Sequence, residues 1–266
     1  MALVLRHLYQ YYQDYYDNAQ DPRTKDLFLL NPSWMPIAII AGYLYFVQSL
    51  GPKLMMDRKP FDLRRMLLVY NLIQIVANIF VAFAGTKLMI EKRVSLLCEP
   101  IDRSTNEIAL REVRLVHCYY VLKVVDLIDT IFFVLRKKQN HVSFLHVYHH
   151  TAMVLIPFFY ARLYPGGHGS MLGLINTYVH AAMYFYFFLS VYRPELTKNV
   201  RWKKYITMLQ MTQFVMLVFI YGLPAMFNYD CGIPRFWFWG AMLQSLFMLA
   251  MFASFYRTAY GQKKDD

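Results

Sequence analysis

Charge is scarce in this chain. Asp, Glu, Lys and Arg make up 17% of its 266 residues, whereas 58% are hydrophobic and mean hydropathy is positive. That balance excludes an ordinary soluble domain of this length. Acids are the scarcer sign, 17 against 28 bases. The chain also lacks an internal repeat and a low-complexity linker. No stretch near its start reads as a cleaved leader. The first 30 residues set Tyr9, Tyr11, Tyr12, Tyr15 and Tyr16 among acids and amides, too polar for a signal peptide. Membrane insertion is therefore expected to rely on an uncleaved first span.

What is abundant is long apolar segments. A helix crosses the hydrocarbon layer with about 20 mostly apolar residues. Seven stretches meet that need: Ser33–Leu50, Met66–Gly85, Leu115–Leu135, Leu145–Tyr164, Met171–Tyr192, Tyr205–Phe227 and Phe236–Tyr256. The expected fold is all-α, a polytopic membrane protein of seven helices. They leave short loops, so residues 1–266 read as one membrane domain with no separate soluble part. Aromatic residues at 18% supply the Tyr, Phe and Trp that settle at membrane interfaces.

Seven spans put alternate loops on the same side. One side collects sixteen bases against five acids, the other eleven against ten. The positive-inside rule places the first set in the cytosol, with the tail 257–266, and the segment 1–32 in the lumen. The net charge of +11 thus reflects topology and not binding to nucleic acid. The last four residues, Lys263-Lys264-Asp265-Asp266, look like the dilysine signal that retrieves membrane proteins to the endoplasmic reticulum. Of only three cysteines, Cys98 and Cys231 fall in loops on the lumenal, oxidising side, where they either pair as a disulfide or stay apart as thiols. Cys118, inside the third span, reads as a small core residue.

Polar groups inside apolar spans cost free energy in lipid, so they mark function. Span three carries Lys123, Asp126, Asp129 and Thr130. Span four opens with His146, His149 and His150. Span five carries Asn176, His180 and Tyr184, and span six Thr207, Gln210 and Gln213, with Lys203 one turn before Thr207. Spacings of three and four residues put each set along one helical face, with Asp129 beside the stripe of Lys123, Asp126 and Thr130. Four neighbouring helices with a polar stripe each are expected to turn them towards a shared interior. Bland alternatives exist: Lys123 with Asp126 as a structural ion pair, and the glutamines as interhelical hydrogen-bond glue.

A histidine face can hold a metal. H-x-x-H-H occurs in the histidine boxes of membrane desaturases and hydroxylases. Of the eight histidines here, His7 and His168 lie on the lumenal side, His141 in a loop and His117 high in span three. Only His146, His149, His150 and His180 are well placed, too few for a histidine-rich di-iron box. A single-metal site with Asp126 or Asp129 stays open. The other answer is acyl transfer. Neutral imidazole is a nucleophile at cytosolic pH, and adjacent histidines or carboxylates can set its tautomer and move its proton. No Ser or Cys stands in the constellation as a competing nucleophile. A seven-helix receptor or transporter is the non-enzyme alternative.

The strings Lys123-Val-Val-Asp126-Leu-Ile-Asp129-Thr130, His146-Val-Tyr-His149-His150, His180-Ala-Ala-Met183-Tyr184 and Gln210-Met-Thr-Gln213 resemble, in order and spacing, the signatures of the ELOVL fatty-acid elongases. The resemblance extends through Asp21-Pro22-Arg23-Thr24, Gly51-Pro52-Lys53 and Arg58-Lys59-Pro60-Phe61 to the dilysine tail. It departs at Asp126, where the family usually has Glu, a carboxylate one methylene longer.

The resemblance implies a condensing enzyme of the endoplasmic reticulum membrane, a very-long-chain 3-oxoacyl-CoA synthase. Its substrates would be an acyl-CoA and malonyl-CoA, its products 3-oxoacyl-CoA, CoA and CO2, with no metal or other cofactor. The later six helices would ring a substrate tunnel, and the mechanism would be ping-pong. His149 would take the acyl group as an acyl-imidazole, with His146 and His150 positioning it or moving protons. His180 would act on malonyl-CoA decarboxylation or the resulting enolate. Asp126 and Asp129 would orient histidines, and Asn176 and Tyr184 would hydrogen-bond near the thioester carbonyl. Arg136 and Lys138 end span three and Lys203 begins span six, so these bases suit the phosphates of CoA. Lys203, Thr207 and Gln210 lead inward along one stripe, with Lys123 and His146 deeper. Membrane lipid, a second copy of the chain and other enzymes of the elongation cycle are the remaining expected partners. Acyl length and unsaturation are not legible in the residues.

Overall fold

The computed structural model describes residues 18–261, with Val4, Arg6, His7, Tyr9 and Gln10 before them. The tail Lys263-Lys264-Asp265-Asp266 and Tyr11, Tyr12, Tyr15 and Tyr16 lie outside the described residues. Among the described residues every regular element is a helix. The chain divides into two compact units, one of Met1–Pro60 with Asp102–Gly166 and one of Phe61–Ile101 with Gly167–Asp266.

In the first unit, α1 (Met35–Tyr45) widens into a π-helical turn, Phe46–Leu50, before α2 (Gly51–Met55). Pro52 has no N–H to return to the Gln48 carbonyl, so the α-helical ladder loosens at this point. Gly51 sits where the chain crosses close to a neighbour. A Cβ there would lie 2.7 Å from Val134 Cγ1 and 2.8 Å from the Phe46 carbonyl oxygen. Helix α4 (Glu107–Val125) starts on Asn106, whose side chain accepts from Ala109 N–H. It stops at Asp126 and resumes as α5 (Leu127–Leu135). Span three was expected as one continuous helix; it breaks because Asp129 N–H turns to the Asp126 carbonyl, an i−3 link that tightens the chain. Helix α6 (Phe144–Leu163) starts on Ser143, whose hydroxyl oxygen accepts from His146 N–H at 3.3 Å. Leu30, Tyr43, Val47, Tyr120, Val134, Val154 and Phe158 form the core between these helices.

The segment before α1 is fastened to the end of α6. Arg162 is 2% exposed and donates to the Leu30 carbonyl at 2.6 Å and to Asn31 Oδ1 at 2.7 Å. Its own carbonyl accepts from Asp21 N–H at 3.0 Å. Arg23 clasps the Asp21 carboxylate and donates to the carbonyls of Asp102 and Ser104. Burial works to raise the Asp21 carboxyl, but Arg23, with Arg103 beyond it, outweighs burial and holds it below its ordinary value. Asp21-Pro22-Arg23-Thr24 is therefore an architectural clasp.

In the second unit α3 (Arg64–Lys92) packs on α7 (Ser170–Tyr192), α7 on α9 (Val200–Phe227), and α9 on α10 (Arg235–Tyr260), with the short α8 (Pro194–Thr197) between α7 and α9. Pro224 lies inside α9 and leaves the Ile220 carbonyl without its i+4 donor. The imidazole of His168 takes that place, with Nε2 2.8 Å from the Ile220 oxygen. Cys98 and Cys231 form a disulfide, S–S 2.03 Å, across 133 residues of sequence. A loop that long makes the crosslink worth about 4–5 kcal/mol by chain entropy. The C98S/C231S double variant is expected to lose stability on that scale and so to unfold at a lower temperature in detergent micelles; an unchanged midpoint would contradict it. Cys118 corrects its sequence-based assignment: it faces outward from α4 and is exposed.

Among the described residues, five helices are long and apolar enough to cross a membrane: Met35–Met55, Arg64–Lys92, Gly167–Tyr192, Val200–Phe227 and Arg235–Tyr260. The other two of the seven expected spans fall below that mark for a physical reason. Helix α4 carries Glu107, Arg111, Glu112, Arg114 and Lys123 before its break, and α6 carries His146, His149, His150 and Arg162. These charged and imidazole side chains lower the hydropathy of the two helices.

Candidate active site

The first unit gathers two of the four polar stripes, those of spans three and four. Lys123, on the last turn of α4, places Nζ 2.8 Å from Asp126 Oδ2, with both side chains at most 2% exposed. The same ammonium lies 5.1 Å from the centre of the Tyr119 ring. A buried cation and anion at this distance satisfy one another at the break between α4 and α5. Thr130, one turn on, faces α6: its hydroxyl is 2.8 Å from His146 Nε2 and 3.0 Å from the hydroxyl of Tyr43 on α1. Tyr43, Thr130 and His146 thus form one chain of hydrogen bonds across three helices. Its direction sets the His146 tautomer, the other ring nitrogen taking the opposite role.

The histidines occupy the first two turns of α6. The rings of His146 and His150 are 4.3 Å apart, and those of His149 and His150 are 5.6 Å apart and nearly perpendicular. Phe133 of α5 covers His146 edge-on and stacks on His141. His150 is buried, whereas His146 and His149 are half-buried. The electrostatic neighbours of His149 are Lys123, His146 and Asp126. Among the described residues, nothing hydrogen-bonds either ring nitrogen of His149. Asp129 is half-buried on α5, three residues past the break at Asp126.

The basic residues at the end of α5 divide by role. Arg136 is half-buried and Lys138 exposed. Lys137, between them, has a left-handed backbone (φ 54°) and donates to the Met56 carbonyl at 3.0 Å, tying α5 to the end of α2.

In the second unit α7 presents Asn176, His180 and Tyr184, all buried. Asn176 Nδ2 donates to Gln213 Oε1 of α9 at 3.3 Å. Gln210 Nε2 reaches Met183 Sδ at 3.6 Å. The rings of His180 and Tyr184 lie 5.9 Å apart. Thr207 is buried with its hydroxyl turned back to the Lys203 carbonyl at 3.0 Å, and Lys203 is exposed at the start of α9. One stripe escaped the sequence reading. Asn71, Gln74 and Asn78 of α3 are all buried, and Tyr70 beside them sets its ring edge-on to Tyr184 at 6.0 Å. Three amides spaced by three and four residues in the second span were the available signal. Tyr43 gave none, because a single tyrosine in an apolar span reads as packing.

Among the described residues, no group of three or more His, Cys, Asp or Glu side chains is arranged to hold a metal ion. What the first unit offers is a half-buried imidazole, its nitrogens unengaged among the described residues, flanked by two more imidazoles and a buried ion pair. That suits nucleophilic attack followed by local proton transfer.

The description "ELO: GNS1/SUR4 family" matches residues 28–266, nine-tenths of the chain. The chain belongs to this family. Its relatives carry the name very long chain fatty acid elongase. One from Aedes aegypti is 37% identical over 265 residues, 99% of this chain and 73% of the relative. Elongase 7 of Rattus norvegicus is 39% identical over 252 residues, 92% of this chain and 89% of its own. Elongase 4 of Homo sapiens is 35% identical over 248 residues, 92% of this chain and 77% of its own.

Proposed function

We propose that the protein condenses an acyl-CoA with malonyl-CoA, giving 3-oxoacyl-CoA two carbons longer, CoA and CO2. The observation that carries this proposal is His149, a half-buried imidazole whose nitrogens are unengaged among the described residues, set between His146, His150 and the Lys123–Asp126 pair. In the first half-reaction an imidazole nitrogen of His149 attacks the thioester carbonyl. The C–S bond breaks and the CoA thiolate leaves with the imidazole proton, passed through His146 or His150. Asp126 and Asp129 orient the histidines. In the second half-reaction malonyl-CoA loses CO2, and His180 stabilises the resulting enolate. Asn176 and Tyr184 hydrogen-bond near its thioester carbonyl. The enolate carbon attacks the acyl carbon, the C–N bond to His149 breaks, and the departing imidazole nitrogen takes up a proton from solvent through His146 or His150, which regenerates the histidine. No metal or organic cofactor enters these steps; malonyl-CoA is the co-substrate.

Lys123, Arg136, Lys138, His146, Lys203, Thr207 and Gln210 are the proposed contacts for acyl-CoA, the bases taking its phosphates. The broken α4–α5 pair and α6 complete seven spans. The N-terminus is lumenal and the C-terminus cytosolic, in the endoplasmic reticulum membrane. The charge asymmetry of the loops and the disulfide between Cys98 and Cys231 support that orientation.

Purified protein given acyl-CoA alone is expected to release a burst of free CoA, up to one per active site, before any malonyl-CoA is added. CoA release that waits for malonyl-CoA would contradict the two-step order.

A further inference from the structure

The amides of α3 have no part in the steps above, yet they are among the most buried polar groups in the second unit. Asn71, Gln74 and Asn78 are 3%, 1% and 0% exposed. Asn78 and Gln74 form a directed series that ends on Tyr70. Asn78 Nδ2 donates to the Gln74 backbone carbonyl at 2.8 Å and to Gln74 Oε1 at 3.3 Å. Gln74 Nε2 in turn donates to the Tyr70 hydroxyl at 3.0 Å. The Tyr70 ring stands at 80° to the ring of Tyr184, which lies against His180.

Packing alone does not account for this series. Leu or Met at positions 74 and 78 would fill the volume without burying amides. The cost is visible at Asn78, whose Oδ1 is buried with no hydrogen-bond partner among the described residues. One buried acceptor is left unsatisfied while the donors are committed towards Tyr70. The series fixes a phenol ring that meets Tyr184 by its edge, and an edge-on contact restrains a ring more than a greasy surface does.

We propose that Tyr70, Gln74 and Asn78 are positioning residues for the malonyl half-reaction, holding Tyr184 and, through it, His180 in working geometry. This rests on the roles proposed above for His180 and Tyr184. The amides are tied to the unit that bears those residues, so their loss should spare acylation of His149.

The test uses the full chain in detergent micelles and the variants Q74L, N78L, Y70F and Y70L. Acyl occupancy of His149 is measured by mass spectrometry after acyl-CoA alone. Condensation is then timed in a single turnover after malonyl-CoA is added. Q74L and N78L are expected to acylate as the parent does and to condense about 10- to 100-fold more slowly, the scale of a displaced catalytic group. Y70F keeps the ring edge and should lose less than Y70L, which also controls for folding. Condensation at the parent rate in Q74L and N78L would overturn the proposal. So would a fall in acylation that matches the fall in condensation, since that is the mark of packing alone. A parent that condenses without acyl-His149 would contradict the ping-pong mechanism instead; the positioning role of Tyr70, Gln74 and Asn78 would still be judged on the condensation rates of the variants.

Discussion

Replacing His149 with alanine is expected to abolish condensation, by about 10^4-fold or more, the scale of deleting a covalent nucleophile. His146→Gln should cost less, about 10²-fold, because it removes only a proton-handling neighbour. The geometry makes the distinction. His146 is committed to Thr130 and, through it, to Tyr43, whereas the His149 nitrogens are unengaged among the described residues. A half-buried side chain at this position can be truncated without emptying the core, so H149A should elute and unfold as the parent does. Malonyl-CoA-dependent formation of 3-oxoacyl-CoA is the assay. An H149A protein that keeps a tenth of the parent rate would remove His149 from the covalent role.

The second large effect falls on the ion pair. Lys123 and Asp126 are 2.8 Å apart and essentially inaccessible, so removing one leaves the other charge buried without its counterpart. Lys123→Met or Asp126→Asn is expected to destabilise the fold by about 3–5 kcal/mol. Removing both, as K123M/D126L, should restore most of that loss, because two well-packed apolar groups replace two desolvated charges. Thermal unfolding in detergent micelles reads the cycle. Activity should not return with stability, since Lys123 is also a proposed contact for acyl-CoA. A double variant that regains both would reduce the pair to structural glue.

The sequence carried the polar stripes well and the backbone poorly. His146, His149 and His150 fall on one face because positions three and four apart must do so on a helix. Lys123 and Asp126 meet for the same reason. The pairing of Cys98 with Cys231 could be posed from loop positions but not measured, since 133 residues separate them. The break at Asp126 left no mark in composition: Val125, Leu127 and Ile128 read as continuous helix, and an i−3 hydrogen bond ends it. Arg162 donates to carbonyl and amide oxygens about 130 residues away, at Leu30 and Asn31, a separation that its own span does not signal. The Asn71–Gln74–Asn78 stripe was legible by spacing. Amides weigh less on the eye than histidines, although burial costs them heavily too.

The central claim is that His149 carries the acyl group between the two half-reactions. Protein exposed to acyl-CoA alone, quenched and digested, should yield a peptide containing His149 heavier by one acyl group. Fragmentation should place the mass on that imidazole, and the adduct should disappear when malonyl-CoA is added. Free CoA released with the acyl group on another residue, or with no adduct under trapping conditions, would contradict the account.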